Sequence, residues 1–330
     1  MKKLLKVVAA IVALAAVGVA VLLLFFSTPE VSDAVLRSKY AQPPSQFLTL
    51  PSGTVAHFRD YAALNSDQGP NGDKAGPVIV LVHGSNASLH TWEPWAHKLQ
   101  ATLRVVTVDL PGHGLTGVTV ENDYSADGMV AFLESFTRKL GLDQAFVLAG
   151  NSMGGHVAWR YTIAHPDRVS KLVLVDSGGV SSPDVDSPMP LAFKLARNPI
   201  TSPLVRKLQP RALFEATLKK AFYDQSLVTP EMVDRYWELN RRHGTPDATI
   251  ARFKLPRVDA VAQARLNEIK VPTLVLWGRE DALIPVALAN VFSQSIAQSK
   301  VIIYDRCGHI PMEELADRSA ADVRAFVESK

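Results

Sequence analysis

Cysteine is nearly absent from this sequence, since Cys307 is the only one among 330 residues. A disulfide between two cysteines of one chain is therefore excluded, and cysteine usage leaves the cellular compartment open. Net charge is also low, at +3, and no block of Lys or Arg follows the first few residues. A nucleic-acid partner therefore has no support. The sequence also lacks internal repeats, which argues against a solenoid or propeller.

What is present is apolar sequence: 47% of the residues are hydrophobic and 20% are charged. This balance is typical of a globular protein rather than a disordered one. A chain of this length can bury a large core and is expected to form one or two domains.

The N-terminus carries the longest uncharged run, in which Lys2, Lys3 and Lys6 precede residues 7–26. A helix of about 20 residues is about 30 Å long, which matches the core of a bilayer. We therefore predict an N-terminal membrane anchor over residues 1–28, with a cleaved signal peptide as the alternative. The lysines predict a cytoplasmic leading end and a catalytic domain on the periplasmic side of the inner membrane.

Beyond a proline-containing tether predicted for residues 29–50, apolar runs alternate with helical patterns. Continuous apolar runs are typical of strands covered on both faces, as in a parallel sheet. The alternation predicts an α/β fold, with a mostly parallel central sheet flanked by helices, over residues 51–178 and 266–330. The strand candidates are residues 77–84, 103–114, 144–150, 171–179, 272–278 and 300–305.

Residues 179–265 interrupt this alternation. They contain two helix-like stretches, 210–224 and 229–242, and are too long for a simple crossover connection. We expect a helical cap insertion that lies over the C-terminal edge of the sheet. Its apolar side chains could form an acyl pocket or the core of the insertion itself. They are Leu191, Phe193, Leu195, Leu213, Phe214, Phe222 and Trp237.

The stretch "LAGNSMGG" (148–155) joins an apolar run directly to a helical pattern. Gly150, Ser152 and Gly154 form the Gly-x-Ser-x-Gly pattern of a nucleophile elbow, a sharp strand-to-helix turn that lifts the serine above the sheet. The N-terminus of the following helix favours developing negative charge. Ser152 is therefore the predicted nucleophile. The alternatives are a glycine-rich strand-to-helix turn that only packs closely and a phosphate-binding loop, but no Lys follows the turn as a phosphate-binding loop would need.

A serine hydroxyl needs a base, and the base needs an orienting carboxylate. His309 lies just after the last apolar run, at the sheet edge where sites gather in such folds, and is the predicted base. Asp281 follows the preceding run and is the predicted acid. Glu280 is the local alternative, and Asp176, which follows the run after the elbow, is the distant one.

Acyl transfer also needs an oxyanion hole. One donor is the N–H of Met153, the residue after the predicted nucleophile. The second is the N–H of Ser85 in "HGSNAS" (83–88), with Asn86 as the alternative contributor. His83 could serve as a base, but we interpret it as a structural residue of this loop. Its spacing to other histidines and acids does not match a metal site, so no metal is expected.

Together these motifs resemble the α/β-hydrolase superfamily, with the triad in the order serine, acid, histidine. The resemblance covers residues 77–328 apart from the insertion. It is closest to bacterial serine lipases and esterases and to the hydrolases that cleave carbon–carbon bonds in meta-cleavage products. The second group typically carries Trp directly after the catalytic histidine, where this chain has Ile310. Branches that use an aspartate nucleophile are excluded by Ser152.

The resemblance implies a carboxylic ester hydrolase that works through an acyl-enzyme. Ser152 attacks the carbonyl, His309 takes its proton, and Asp281 holds the imidazolium. No cofactor is required, and the expected partner is a small-molecule ester or lipid-like substrate. Two alternatives stay open: a carbon–carbon bond hydrolase of ring-cleavage products, and a non-catalytic ligand-binding member of the fold.

Overall fold

The computed structural model describes residues 1–64, 76–186, 189 and 191–329. Within these residues, eight strands form one sheet in the order β1-β2-β4-β3-β5-β6-β7-β8. The strands are β1 Ser45–Thr49, β2 Val55–Tyr61, β3 Val78–Val82, β4 Arg104–Val108, β5 Phe146–Asn151, β6 Val169–Val175, β7 Thr273–Gly278 and β8 Ser299–Tyr304.

Helices precede, connect and follow the strands of the sheet. In chain order they are α1 Lys2–Phe26, α2 Asp33–Tyr40, α3 Glu93–Leu99, α4 Ala126–Lys139, α5 Met153–Ala164, α6 Leu191–Arg197, α7 Ser202–Lys207, α8 Arg211–Ala221, α9 Pro230–Leu239, α10 Thr245–Lys254, α11 Ala260–Gln263, α12 Ala289–Ser295, α13 Pro311–Glu314 and α14 Ala316–Glu328.

The strands from β3 to β8 run parallel, as the continuous apolar runs predict. Successive residues of β3 alternate between two buried cores: Val80 and Val82 pack on one face, and Ile79 and Leu81 on the other. Burial on both faces explains why these strands are apolar throughout instead of alternating with polar residues. The predicted α/β fold with a mostly parallel sheet is confirmed.

The first two strands were not among the candidates from the sequence. β1 lies inside the segment predicted as a tether, and it pairs antiparallel with β2, which pairs antiparallel with β4. β2 carries polar side chains that are nevertheless buried, because they find partners across the sheet. His57 Nδ1 lies 2.6 Å from Asp109 Oδ2, and Arg104 pairs with Asp60 at 3.0 Å. A polar strand of this kind does not show an apolar run in the sequence.

The predicted membrane anchor is corrected by the structure. In the part of the chain that the structure describes, no helix has both the length and the apolar character needed to cross a bilayer. Such a span needs about 20 consecutive apolar residues. Helix α1 opens with Lys2, Lys3 and Lys6, and the side chains of residues 19–26 lie outside the described part. The placement at the inner membrane with a periplasmic catalytic domain is therefore a wrong prediction, and the anchor over residues 1–28 has no support among the described helices.

The segment between β6 and β7 contains α6 to α11 and contacts the loops at the C-terminal ends of the strands. The N–H of His309 donates to the carbonyl of Ala221 at the end of α8, at 2.7 Å. Arg235 of α9 pairs with Glu313 at 2.6 Å. These contacts place the helical segment above the same sheet edge as the predicted site. Its exact boundaries at 179 and 265 stay a prediction.

The apolar side chains of this helical segment have different surroundings. Phe193 stacks on Phe253, with ring centroids 4.0 Å apart, so it belongs to the segment's own small core. Phe222 is buried against the main core, whereas Leu191 and Leu213 are exposed. These four side chains therefore do not share one environment, and an acyl pocket formed by the whole set stays a prediction.

Candidate active site

Ser152 occupies the single position between β5 and α5. Its φ is 55° and its ψ is −117°, a conformation that L-residues rarely adopt and that is typical of strained functional turns. The turn closes because its flanking residues are small: a Cβ on Gly154 would overlap the backbone oxygens of Val82 and His83. The N–H of Gly178 donates to the Ser152 carbonyl at 2.8 Å. The serine therefore sits at the N-terminus of α5, at the C-terminal edge of the sheet.

The predicted base and acid are hydrogen-bonded to each other. His309 Nδ1 lies 2.7 Å from Asp281 Oδ2, and both residues are buried. Asp281 Oδ1 accepts the N–H groups of Leu283 and Ile284 at 2.7 and 2.9 Å. Because Nδ1 is engaged with the carboxylate, Nε2 is the ring atom left for proton transfer. Glu280, the local alternative for the acid, instead accepts the N–H of Cys307 at 3.0 Å.

Asn151 joins the elbow to the histidine loop. Its Nδ2 donates to the carbonyl of His309 at 3.1 Å and to that of Val175 at 3.2 Å. Among the hydrogen bonds of the described residues there is none between the Ser152 hydroxyl and the His309 ring. In substrate-free enzymes such catalytic hydrogen bonds are often long and shorten when substrate binds. The catalytic roles of Ser152, His309 and Asp281 therefore stay predictions, supported by their common location.

Asp176, the distant alternative for the acid, also lies in this site. It directly follows β6 and is completely buried, with a φ of 45°. Its carboxyl, that of Asp281 and the His309 ring have donor or acceptor atoms within 4.8 Å of one another. Burial, and then the charge of Asp281, raise the pKa of Asp176 well above its usual range. His309 and Asp281 bond each other, so the three groups have the composition of an acid–base group, and their ligand atoms are also close enough together to reach one metal ion.

The loop at 83–88 passes directly beside the nucleophile. A Cβ built on Gly84 would lie 2.9 Å from Asn151 Oδ1 and 3.1 Å from the Cβ of Ser152, so the absence of a side chain on Gly84 allows this close approach. Ser85 follows Gly84, which brings its backbone to the serine. Met153 is the first residue of α5, and N–H groups in a first helical turn have no partner within the helix. Both predicted oxyanion donors thus lie beside Ser152, and their role stays a prediction.

Asn86 is held by two helices of the segment above the sheet. Its φ is 59°, its backbone oxygen accepts Nδ2 of Asn240 at 2.6 Å, and its side-chain oxygen accepts Nη2 of Arg252 at 2.6 Å. Arg252 is buried, and burial lowers the pKa of its guanidinium to about 9. We call Asn86, Asn240 and Arg252 the loop clamp. No sequence signal links Asn240 or Arg252 to Asn86, because these partners lie 154 and 166 positions away in the chain.

His83 has a structural role in this loop. Its Nδ1 donates to the carbonyl of Gly84 at 2.8 Å, and its Nε2 accepts the N–H of Leu110 at 3.0 Å. Burial lowers the pKa of His83, although the charge of Asp109 opposes this effect. A ring that uses both nitrogens on backbone groups is not available as a base, which agrees with the structural interpretation.

Comparisons with known proteins point to one family. The model described as alpha/beta hydrolase fold matches residues 77–315. A 2-hydroxy-6-oxononadienedioate/2-hydroxy-6-oxononatrienedioate hydrolase of Paraburkholderia phymatum is 31% identical over 248 residues, which are 73% of this chain and 83% of that protein. A 2-hydroxymuconate semialdehyde hydrolase of a Pseudomonas species is 31% identical over 261 residues, which are 77% and 87%.

Solved structures give a second kind of likeness. The crystal structure of a membrane phospholipase A, described as a bacterial virulence factor, has a TM-score of 0.70 and 25% identity, over 99% of this chain and 98% of that one. A meta-cleavage product hydrolase from Pseudomonas fluorescens has a TM-score of 0.69 and 21% identity, over 86% and 97%, and shows the fold alone.

Proposed function

We propose that this chain, which belongs to the alpha/beta hydrolase fold family, hydrolyses a carbonyl substrate with Ser152 as the nucleophile. One observation carries the proposal: Ser152 is held in a strained conformation at a strand-to-helix turn, at the same sheet edge as the buried pair of His309 and Asp281. A structural serine has no need of this strain, which is typical of sites where the chemistry requires it.

The proposed reaction has two stages. In the first, His309 Nε2 takes the proton of the Ser152 hydroxyl as its oxygen attacks the carbonyl carbon, and Asp281 stabilises the imidazolium. The N–H groups of Met153 and Ser85 bind the oxyanion. His309 then protonates the leaving group, and an acyl-enzyme remains. In the second stage, water attacks the acyl-enzyme with the same base, and the acid product and free serine are released.

Different observations favour different bonds as the one that is broken. The curated relatives are named for ring-cleavage products, and they favour a carbon–carbon bond beside a ketone more directly than an ester bond. An ester is supported by Ile310, which stands where carbon–carbon hydrolases typically carry Trp, and by the phospholipase likeness over nearly the whole chain. Both bonds use the same nucleophile and oxyanion hole, so only the substrate distinguishes them.

The test is a substrate panel with a matched pair of serine variants. The full chain, Ser152→Ala and Ser293→Ala are assayed with p-nitrophenyl butyrate and with a 2-hydroxy-6-oxo-dienoate. Ser293 lies on α12, and its hydroxyl donates to the carbonyl of Asn290 outside the site, so it serves as the control. We expect Ser152→Ala to lower kcat/KM at least about 10³-fold on the preferred substrate. Turnover that survives in Ser152→Ala, or no turnover of either substrate, would contradict the proposal.

A further inference from the structure

Two buried carboxyl groups meet beside His309, and the proposed reaction uses only one of them. Asp176 directly follows β6 and Asp281 follows β7, and these two strands are neighbours in the sheet. Asp176 Oδ1 accepts the N–H of Gly278, the last residue of β7, at 2.9 Å. Asp176 Oδ2 is buried and has no hydrogen-bond partner among the described groups. An unsatisfied buried oxygen of this kind calls for an explanation.

The two carboxyl groups differ in the donors that reach them. Asp281 receives two backbone N–H groups and His309 Nδ1. Asp176 receives one backbone N–H group. Hydrogen bonds to the charged form of a carboxyl group favour that form, and Asp176 receives fewer of them than Asp281. If one proton has to be placed on this pair, Asp176 is the residue that holds it.

The surroundings require such a proton. The titratable groups that face Asp176 are Asp281 after β7, Glu314 on α13, and Cys307 and His309 in the loop after β8. Glu280 faces the same cluster through Cys307. Apart from His309 these groups are acidic, and two neighbouring buried carboxyl groups do not both ionise. A proton on Asp176 Oδ2 converts an unsatisfied acceptor into a donor to Asp281.

We propose that Asp176 and Asp281 hold one proton between them, with Asp176 as a positioning residue that donates to Asp281 and can replace it beside His309. This inference rests on the proposed function, because it concerns the acid of the same triad. With this proton, the pair of Asp176 and Asp281 carries one negative charge instead of two. When Asp281 is removed, Asp176 loses its like-charged neighbour and becomes the carboxylate nearest to the imidazole.

The experiment is a double-mutant cycle on the full chain with the preferred substrate of the panel. Asp176→Asn is measured alone and in the Asp281→Ala background. Alone it costs about tenfold or less in kcat/KM, because an amide can donate as the protonated acid does. In the Asp281→Ala background it costs at least about 100-fold, since removing the last carboxylate of a triad is expensive. Asp305→Asn, an exposed aspartate paired with Arg279, is the control and leaves kcat/KM unchanged.

Two further readouts separate this role from a merely structural one. The kcat/KM of Asp281→Ala rises with pH over a higher range than that of the full chain, because Asp176 must first lose its proton. At neutral pH, the infrared difference between the full chain and Asp176→Asn shows the carbonyl band of a protonated carboxyl group, which does not depend on activity.

Equal costs of Asp176→Asn in both backgrounds, superimposable pH profiles of Asp281→Ala and the double variant, or no protonated carboxyl band would each overturn the inference. The proposed function would survive those results as long as Ser152→Ala abolishes turnover. If turnover survives in Ser152→Ala, the proposed function fails, whereas the infrared band still reports on the carboxyl pair.

Discussion

The loop clamp predicts that Arg252→Met changes activity more than stability. The hydrogen bond from Arg252 Nη2 to Asn86 Oδ1 is 2.6 Å long and involves a charged donor. Such a bond contributes about 1.5–3 kcal/mol, and its loss leaves a buried acceptor that costs about 1–3 kcal/mol. Against this, the variant removes a buried guanidinium whose Nε and Nη1 have no partner in the described structure. Keeping this charge buried costs the unsubstituted protein several kcal/mol of desolvation, and the variant no longer bears that cost. We expect the free energy of unfolding to change by less than about 2 kcal/mol.

The effect of Arg252→Met on activity is not offset by any comparable gain. Asn86 is the residue after Ser85, and its backbone conformation is left-handed, so the loop depends on side-chain contacts to hold that shape. Loss of one oxyanion donor costs about 10²–10³ in rate. Arg252→Met keeps the N–H of Ser85 and removes only a contact that positions its loop. We therefore expect kcat to fall about 10- to 100-fold. Asn240 still holds the backbone oxygen of Asn86.

The assay compares urea unfolding and steady-state kinetics for the full chain, Arg252→Met and Arg206→Met. Arg206 pairs with Asp247 on the surface of the same helical segment and serves as the control for loss of a guanidinium. Adding Asn240→Ala to Arg252→Met should cost less than the two separate effects combined, because both act on one loop. An unchanged kcat in Arg252→Met, or a loss of stability above about 4 kcal/mol, would refute this reasoning.

Three further predictions follow from buried groups. Gly154→Ala should destabilise the fold by at least about 3 kcal/mol in urea unfolding and abolish turnover, because its Cβ overlaps the backbone of Val82. Burial tends to raise the pKa of Asp109, but the charge of His57 and its hydrogen bond outweigh this effect and hold the pKa well below the usual range. Asp109→Asn should therefore lose about 3–5 kcal/mol at pH 7, and the gap to the full chain should narrow as the pH falls below about 4. Burial, and then the charge of Glu314, raise the pKa of the Cys307 thiol, so iodoacetamide should label it only after unfolding.

Several features of this protein were determined by local sequence. The strands from β3 to β8 follow from continuous apolar runs, because burial on both faces leaves no room for polar residues. The elbow follows from Gly150, Ser152 and Gly154, because the strand, turn and helix are consecutive in the chain. His309 is hydrogen-bonded to Asp281, whereas Glu280 accepts the N–H of Cys307, and the choice of Asp281 as the acid stays a prediction. The signals for the strands and the elbow lie within a few residues of the features they predict, whereas the pairing joins residues 28 positions apart.

The remaining features were decided by tertiary structure. β1 and β2 are stabilised by strand pairing and by polar partners elsewhere in the chain, so their own sequences lack the apolar runs that predict strands. The apolar N-terminal run predicted a membrane span that the described helices do not provide. The loop clamp and the pair of Asp176 and Asp281 join residues more than a hundred positions apart. Only the packing of separate elements decides which of them meet, and the pattern of one segment does not encode the contacts made by another.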